Sequence, residues 1–145
     1  MVVLIVAVVI ASQYSPGVMA DVVRVRQHAP TFAPLPLYLP SVDGFVAVRD
    51  CDRIGELILI RPVGVDWWET HMVADCTKQP GTDGAYEWMT ENGIGVEVSY
   101  ETAARWGYVG RGFRVEIGEM KGAGYVEKMD HFARCGCVGA DPAGL

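Results

Sequence analysis

Leu57-Ile58-Leu59-Ile60 and Met72-Val73-Ala74, with the turn chemistry of Gly64-Val65-Asp66 between them, decide the fold class. Each is a short aliphatic run, too brief for a helix and bounded by turn formers, and together they read as the arms of a β-hairpin. The same pattern extends outward. Val22-Val23-Arg24-Val25-Arg26 and Phe45-Val46-Ala47-Val48 precede the hairpin and are rich in β-branched residues. Gly95-Val96-Glu97-Val98 and Phe113-Arg114-Val115-Glu116-Ile117 follow it, the last alternating cleanly between apolar and charged. Six candidate strands make the chain mainly β. Two short helices are expected among them. Residues 85–92 have helical composition and stop at Asn92-Gly93, and Ser99 is an N-cap with Thr102 three residues on, Glu101 in the first turn and Gly107 at the close. Four prolines, Pro30, Pro34, Pro36 and Pro40, bar a regular ladder from that stretch and predict an extended surface loop.

The chain has 145 residues, the size of one domain. Its 50% hydrophobic content and mean hydropathy of +0.19 exclude wholesale disorder. Eighteen acidic against twelve basic residues give a net charge of -6. Nucleic acid is therefore not an expected partner, because binding a polyanion requires a basic face.

Residues 2–11 form the most apolar run. At ten residues the run is short for a membrane-spanning helix but has the length of a signal-peptide core. No Lys or Arg precedes Arg24, so an export reading implies a start further upstream. Two readings stay open: a leader, with a cleavage-like site at Val18-Met19-Ala20 and a weaker one at Ala11-Ser12-Gln13 that would end it at residues 1–13, or a buried β-strand. Residues 119–145 lose the strand pattern and gain glycine, which predicts a loosely ordered tail with at most a short helix over 126–134. His131, Cys135 and Cys137 within it do not follow a standard zinc spacing, and neither metal nor cofactor is expected.

Cys51 and Cys76 stand just past two strand exits, where loops gather. In an exported protein they would pair, and closing a loop of that length contributes about 3 kcal/mol. In a reducing compartment they would be two buried thiols. Motifs for zinc peptidases, nucleophile-elbow hydrolases, phosphate-binding loops and dinucleotide folds are absent, and His28, His71 and His131 show no evident nucleophile partner. Carboxylates remain. Asp75 terminates an apolar strand, where partial burial would raise it toward general-acid range, and Glu97 sits between Val96 and Val98, on the solvent face by alternation. Trp67, Trp68, Trp88 and Trp106 are candidate sugar-stacking platforms.

Taken in order, Tyr14-Ser15-Pro16-Gly17, Val46-Ala47-Val48, Ile54-Gly55-Glu56, Val73-Ala74-Asp75-Cys76, Val96-Glu97-Val98-Ser99 with Thr102-Ala103-Ala104 and Trp106-Gly107, and Gly112-Phe113-Arg114-Val115 resemble the rare lipoprotein A-like double-psi β-barrel family. Its superfamily includes barwin-like and expansin-like barrels and membrane-bound lytic transglycosylase A. The resemblance implies a six-stranded double-psi β-barrel over residues 14–118, secreted or displayed at the cell surface, with cell-wall polysaccharide or peptidoglycan as partner and no stable membrane span. It also implies the chemistry of the catalytic members, which cleave peptidoglycan as lytic transglycosylases. There an aspartic acid protonates the glycosidic oxygen and the sugar's own 6-hydroxyl attacks the anomeric carbon. By position Asp75 matches that acid, with Glu97 in support; Tyr14, Trp68 and Trp88 are the substrate-contact candidates. Two departures are plain. Cys76-Thr77-Lys78 stands where catalytic members carry Arg-Gly-Pro, as in the cysteine-bearing barwin-like and expansin-like barrels, and Glu97 stands where Asp is usual. A non-catalytic glycan-binding or structural module is the alternative.

Overall fold

The computed structural model describes residues 3–30, 33–77 and 84–121. In chain order these form β1 (Val3–Gln13), α1 (Val18–His28), β2 (Gly44–Val48), a 3-10 turn (Cys51–Arg53), β3 (Leu57–Pro62), β4 (Glu69–Cys76), α2 (Ala85–Glu91), β5 (Ile94–Val98), α3 (Tyr100–Trp106) and β6 (Phe113–Lys121). The chain is thus mainly β, six strands with three α-helices.

The strands hydrogen-bond in the order β1-β5-β2-β4-β3-β6, and β6 returns to β1, so the ladder closes on itself. Closure removes edges from the paired part of the sheet. The pairings β1–β5 and β2–β4 are parallel, while β1–β6, β2–β5, β3–β4 and β3–β6 are antiparallel. Replacing each strand by the one three places later leaves both the neighbours and their directions unchanged. The helical segments obey the same rule: α1 and α2 each link the first and second strands of a half, and the 3-10 turn and α3 each link the second and third. The topology is that of two similar halves interleaved in one ring.

Alternation divides the apolar residues into two cores. Val46, Val48, Val73, Val96, Val98, Val115 and others fill the interior of the ring. Ala47, Met72 and Ala74 face outward and pack with Met19 and Val23 of α1 and Leu35 of the following loop. The expected hairpin is present as β3 and β4, paired from Leu57 opposite Met72 to Ile60 opposite Glu69. Both expected helices form. Ser99 Oγ accepts from the Thr102 amide at 3.1 Å and Gly107 closes α3 at φ 82°, while Asn92 caps α2.

Two expectations change. The run Val22–Arg26 is not a strand but lies within α1, because Met19, Val23 and Arg26 recur on one helical face and that face is buried. Burial of the stripe outweighs the β-branched propensity of the three valines. The sixth strand is supplied instead by the apolar run at residues 3–13, which pairs β6 from Val3 opposite Lys121 to Ala11 opposite Phe113. In the 145-residue chain this run is a strand of the ring, so the boundary expected before Tyr14 falls between β1 and α1. The proline-rich stretch is irregular as expected, yet it is not merely superficial. Leu35 is buried, and its amide donates to Arg26 O at 2.9 Å. The His131, Cys135 and Cys137 group and most of the glycine-rich tail lie outside the described residues.

Candidate functional site

Ser12, Glu97, Ala47 and Asp75 occupy one row across four adjacent strands. Ser12 of β1 pairs Glu97 of β5, Glu97 pairs Ala47 of β2, and Ala47 pairs Asp75 of β4. Residues paired across a sheet share a face, and Ala47 faces outward beneath α1. The two carboxylates therefore flank Ala47 on the outer face, about 10 Å apart at their Cα atoms by the usual strand spacing. Glu97 falls where alternation put it, between the inward-facing Val96 and Val98.

Asp75 reaches this face by a register break. Val46 pairs Val73 but Ala47 pairs Asp75, so Ala74 is the extra residue of a bulge. A bulge re-aims the side chains that follow it. Without it, Asp75 would point, like Val73, into the apolar interior. The parallel seam β1–β5 breaks in the same way, with Gly95 as the extra residue; a Cβ there would come within 2.7 Å of the Val9 side chain.

Both oxygens of Asp75 accept hydrogen bonds. Arg26 Nη2 donates to Oδ1 at 2.6 Å, and the Tyr14 hydroxyl donates to Oδ2 at 2.8 Å. Arg26 is only 4% exposed and Asp75 8%, so this is a buried ion pair whose members each depend on the other. Tyr14 is held in place by its own amide, which donates to Val98 O at 2.9 Å. Burial, and then the neighbouring charge of Asp75, push the Tyr14 phenol well above its ordinary value, so it remains a donor throughout the working pH range.

Glu97 is half-buried and accepts from Ser12 Oγ at 2.8 Å. Burial raises its carboxyl above the ordinary value; the Ser12 hydrogen bond opposes the rise and the charge of Asp75 adds to it. Two acids on one face are thus driven to different roles: one is fixed as an ion-paired acceptor, the other is biased toward keeping its proton.

Just past Asp75 the chain is anchored covalently. Cys76 is bonded to Cys51, with their Cα atoms 5.0 Å apart, which bears out the expected pairing. The disulfide ties the end of β4 to the turn after β2, and the Thr77 amide donates to Val48 O at 3.1 Å beside it.

Of the expected contact residues, Tyr14 is brought to the carboxylates. Trp68 is not: it precedes β4 while Asp75 is near its end, roughly 20 Å away along the strand. There Trp68 lies under Arg61, whose guanidinium carbon is 4.1 Å from the ring centroid. Trp88 is exposed on α2. Sequence reasoning missed Arg26 and Ser12. Once α1 is seen as a helix, Arg26 falls on the buried face of Met19 and Val23, the one signal that could have found it.

It also missed a second polar cluster, at the start of β4. Glu69 accepts from His71 Nε2 at 2.8 Å, from Arg105 Nη2 at 2.6 Å and Nε at 3.2 Å, and from Trp106 Nε1 at 3.1 Å. Burial would raise the Glu69 carboxyl, but these donors overcome it and hold it at about 2. His71 is fully buried, and among the described residues its Nδ1 has no hydrogen-bond partner. Packing is tight: a Cβ on Gly44 would meet the His71 ring at 2.6 Å.

Among the described residues, no helix is long and apolar enough to cross a membrane. Comparison with family models, curated proteins and solved structures finds no match for this chain.

Proposed function

We propose that the chain is a double-psi β-barrel of the rare lipoprotein A-like kind that acts on cell-wall glycan outside the reducing cytoplasm, with Glu97 as its proton donor. The barrel class is supported by the ring order that survives a shift of three strands and by its two parallel seams. The disulfide supports an oxidising compartment. Export of this chain would keep β1, since a cut before Tyr14 removes one strand of the ring.

The observation that carries the chemistry is the pair of carboxyl groups flanking Ala47, with Glu97 raised and Asp75 locked. An acid must hold its proton until the bond breaks. Asp75, accepting from Arg26 and Tyr14, suits the part of a fixed negative charge; Glu97 suits the part of the acid. The Glu97 proton passes to the glycosidic oxygen as its bond to the anomeric carbon breaks. The sugar's 6-hydroxyl then attacks that carbon and gives its proton to the Glu97 carboxylate, leaving a 1,6-anhydro end and restoring the acid. Asp75 would stabilise the positive charge that builds on the sugar.

The test is incubation of the purified chain, beside Glu97→Gln, with intact and peptide-stripped peptidoglycan, followed by mass spectrometry of the soluble fragments. Anhydro-ended fragments from the wild type, absent with Glu97→Gln, are expected. Equal release by the variant would remove Glu97 from the acid's role. A second reading, a non-catalytic glycan-binding module, is favoured by the closure of Asp75 between Arg26 and Tyr14 and by the exposed Trp67 and Trp88. It predicts no fragments from either protein, with both sedimenting with the polymer.

A further inference from the structure

β1 is longer than the ring it belongs to. Its pairing with β6 runs from Val3 to Ala11, but its pairing with β5 begins only at Ile10. Over residues 3–9 the strand has a ladder on one side, and among the described residues nothing pairs with the other. β6 in turn pairs β3 from Val115 to Gly118, so residues 119–121 also run beyond their second neighbour. Residues 3–5 and 119–121 thus form a two-stranded ribbon, roughly 10 Å long at the usual strand rise, and residues 6–9 continue it as the outer strand of a three-stranded stretch with β6 and β3.

A two-stranded ribbon is marginal in water, and an open strand edge is normally blunted by lysine, proline or a bulge. This edge has none of these. Residues 2–11 contain no charged residue, no proline and no glycine. Their side chains are not withdrawn: Leu4, Val6, Val8 and Ile10 are 41–49% exposed, and Ala7 on the opposite face is exposed as well. A strand edge that is open among the described residues, uncharged and apolar is a template for another strand.

We infer that the edge of β1 over residues 3–9 is a self-association surface, occupied by the same strand of a second copy running antiparallel. The uncovered segment is centred on Val6, so a two-fold axis there uses all of it: Val6 faces its own counterpart and Leu4 faces Val8 on each side. Every such neighbour is aliphatic, the cross-strand pairing that stabilises sheets. The surface is self-complementary, as a two-fold interface requires. Charge points the same way. Each chain carries -6, so contact over most of the surface brings like charges together, whereas this edge brings none. The product is a continuous sheet, β3-β6-β1 of one copy joined to β1-β6-β3 of the other. The inference is independent of the glycan reading.

Light scattering behind size-exclusion chromatography tests it on the full chain, from about 1 to 300 µM, the span in which a small interface associates. The expected mass rises from 15.8 kDa toward twice that value with concentration. Val6→Lys, which sets two ammonium groups opposite each other on the axis, should remain monomeric throughout with its thermal midpoint nearly unchanged. Hydrogen exchange on the wild type serves if the variant fails to fold: amides of residues 3–9 should exchange about 10-fold more slowly at the high concentration than at the low one. A monomer at every concentration overturns the inference. So does a dimer that Val6→Lys leaves intact, protection of residues 3–9 that does not change with concentration, or an intact mass showing that residues 1–13 are removed from the mature protein.

Discussion

The two ends of β4 each carry a carboxylate centre, and they are built in opposite ways. At its start, Glu69 collects donors from His71, Arg105 and Trp106 and stands at about 2. Near its end, Asp75 shares one face with Glu97 and accepts from Arg26. At the first centre positive charge and donors match the acid. At the second, Glu97 is raised, by burial first and by the charge of Asp75 after it, against the Ser12 hydrogen bond. A carboxylate saturated with donors stabilises a fold; a half-buried acid whose carboxyl is raised has chemistry to offer. The same strand therefore carries a structural centre and a candidate reactive one, separated by the bulge at Ala74.

Substitutions sharpen this contrast, and the largest effect belongs to the buried ion pair. Arg26→Met or Asp75→Asn leaves the other partner unbalanced in a buried site and should cost about 3–5 kcal/mol in urea unfolding. Asp75 is in this sense a structural partner of α1. The double variant Arg26→Met/Asp75→Leu should recover most of the loss. Reduction of Cys51–Cys76 comes next. It frees the Asp75 end of β4 and should lower stability by about 3 kcal/mol, read in the same experiment with and without reductant.

Glu69→Gln should cost about 2 kcal/mol at neutral pH, in line with the loss of charge-assisted hydrogen bonds. The sign follows from a depressed carboxyl: its contribution is complete above the ordinary value of 4.5 and is lost as the pH falls toward about 2. The gap between wild type and Glu69→Gln should close over that interval. For Glu97 the sign reverses. A raised carboxyl contributes stability below its ordinary value and loses that contribution as the pH rises through the folded value. Glu97→Gln should thus be as stable as wild type at neutral pH or slightly more so, by less than about 1 kcal/mol. A large loss in Glu97→Gln would make the second centre structural like the first.

How much of this could be read from the residues depends on the range of the interaction. The hairpin, both late helices and their caps follow from local patterns, and Ser99, Thr102 and Gly107 hold the positions their chemistry indicates. The strand β1 and the helix α1 did not separate so cleanly. An uninterrupted aliphatic run has no period to distinguish a leader from a strand, and Val22, Val23 and Val25 carry β propensity that the buried face of α1 overrides. Asp75 and Glu97 stood out as carboxylates, but their division of roles did not. It depends on Arg26, 49 residues from Asp75, and on a bulge that only pairing reveals. The Glu69–His71 contact was within reach, because residues two apart on a strand share a face.

Carboxyl titration by NMR, on protein labelled at the glutamate side chains, tests the contrast most directly. The expected result is Glu97 titrating above its ordinary value while Glu69 titrates at about 2, with Asp75→Asn lowering Glu97 by removing the neighbouring charge. Glu97 titrating at or below its ordinary value, or unmoved by Asp75→Asn, would contradict the division of roles between the two ends of β4.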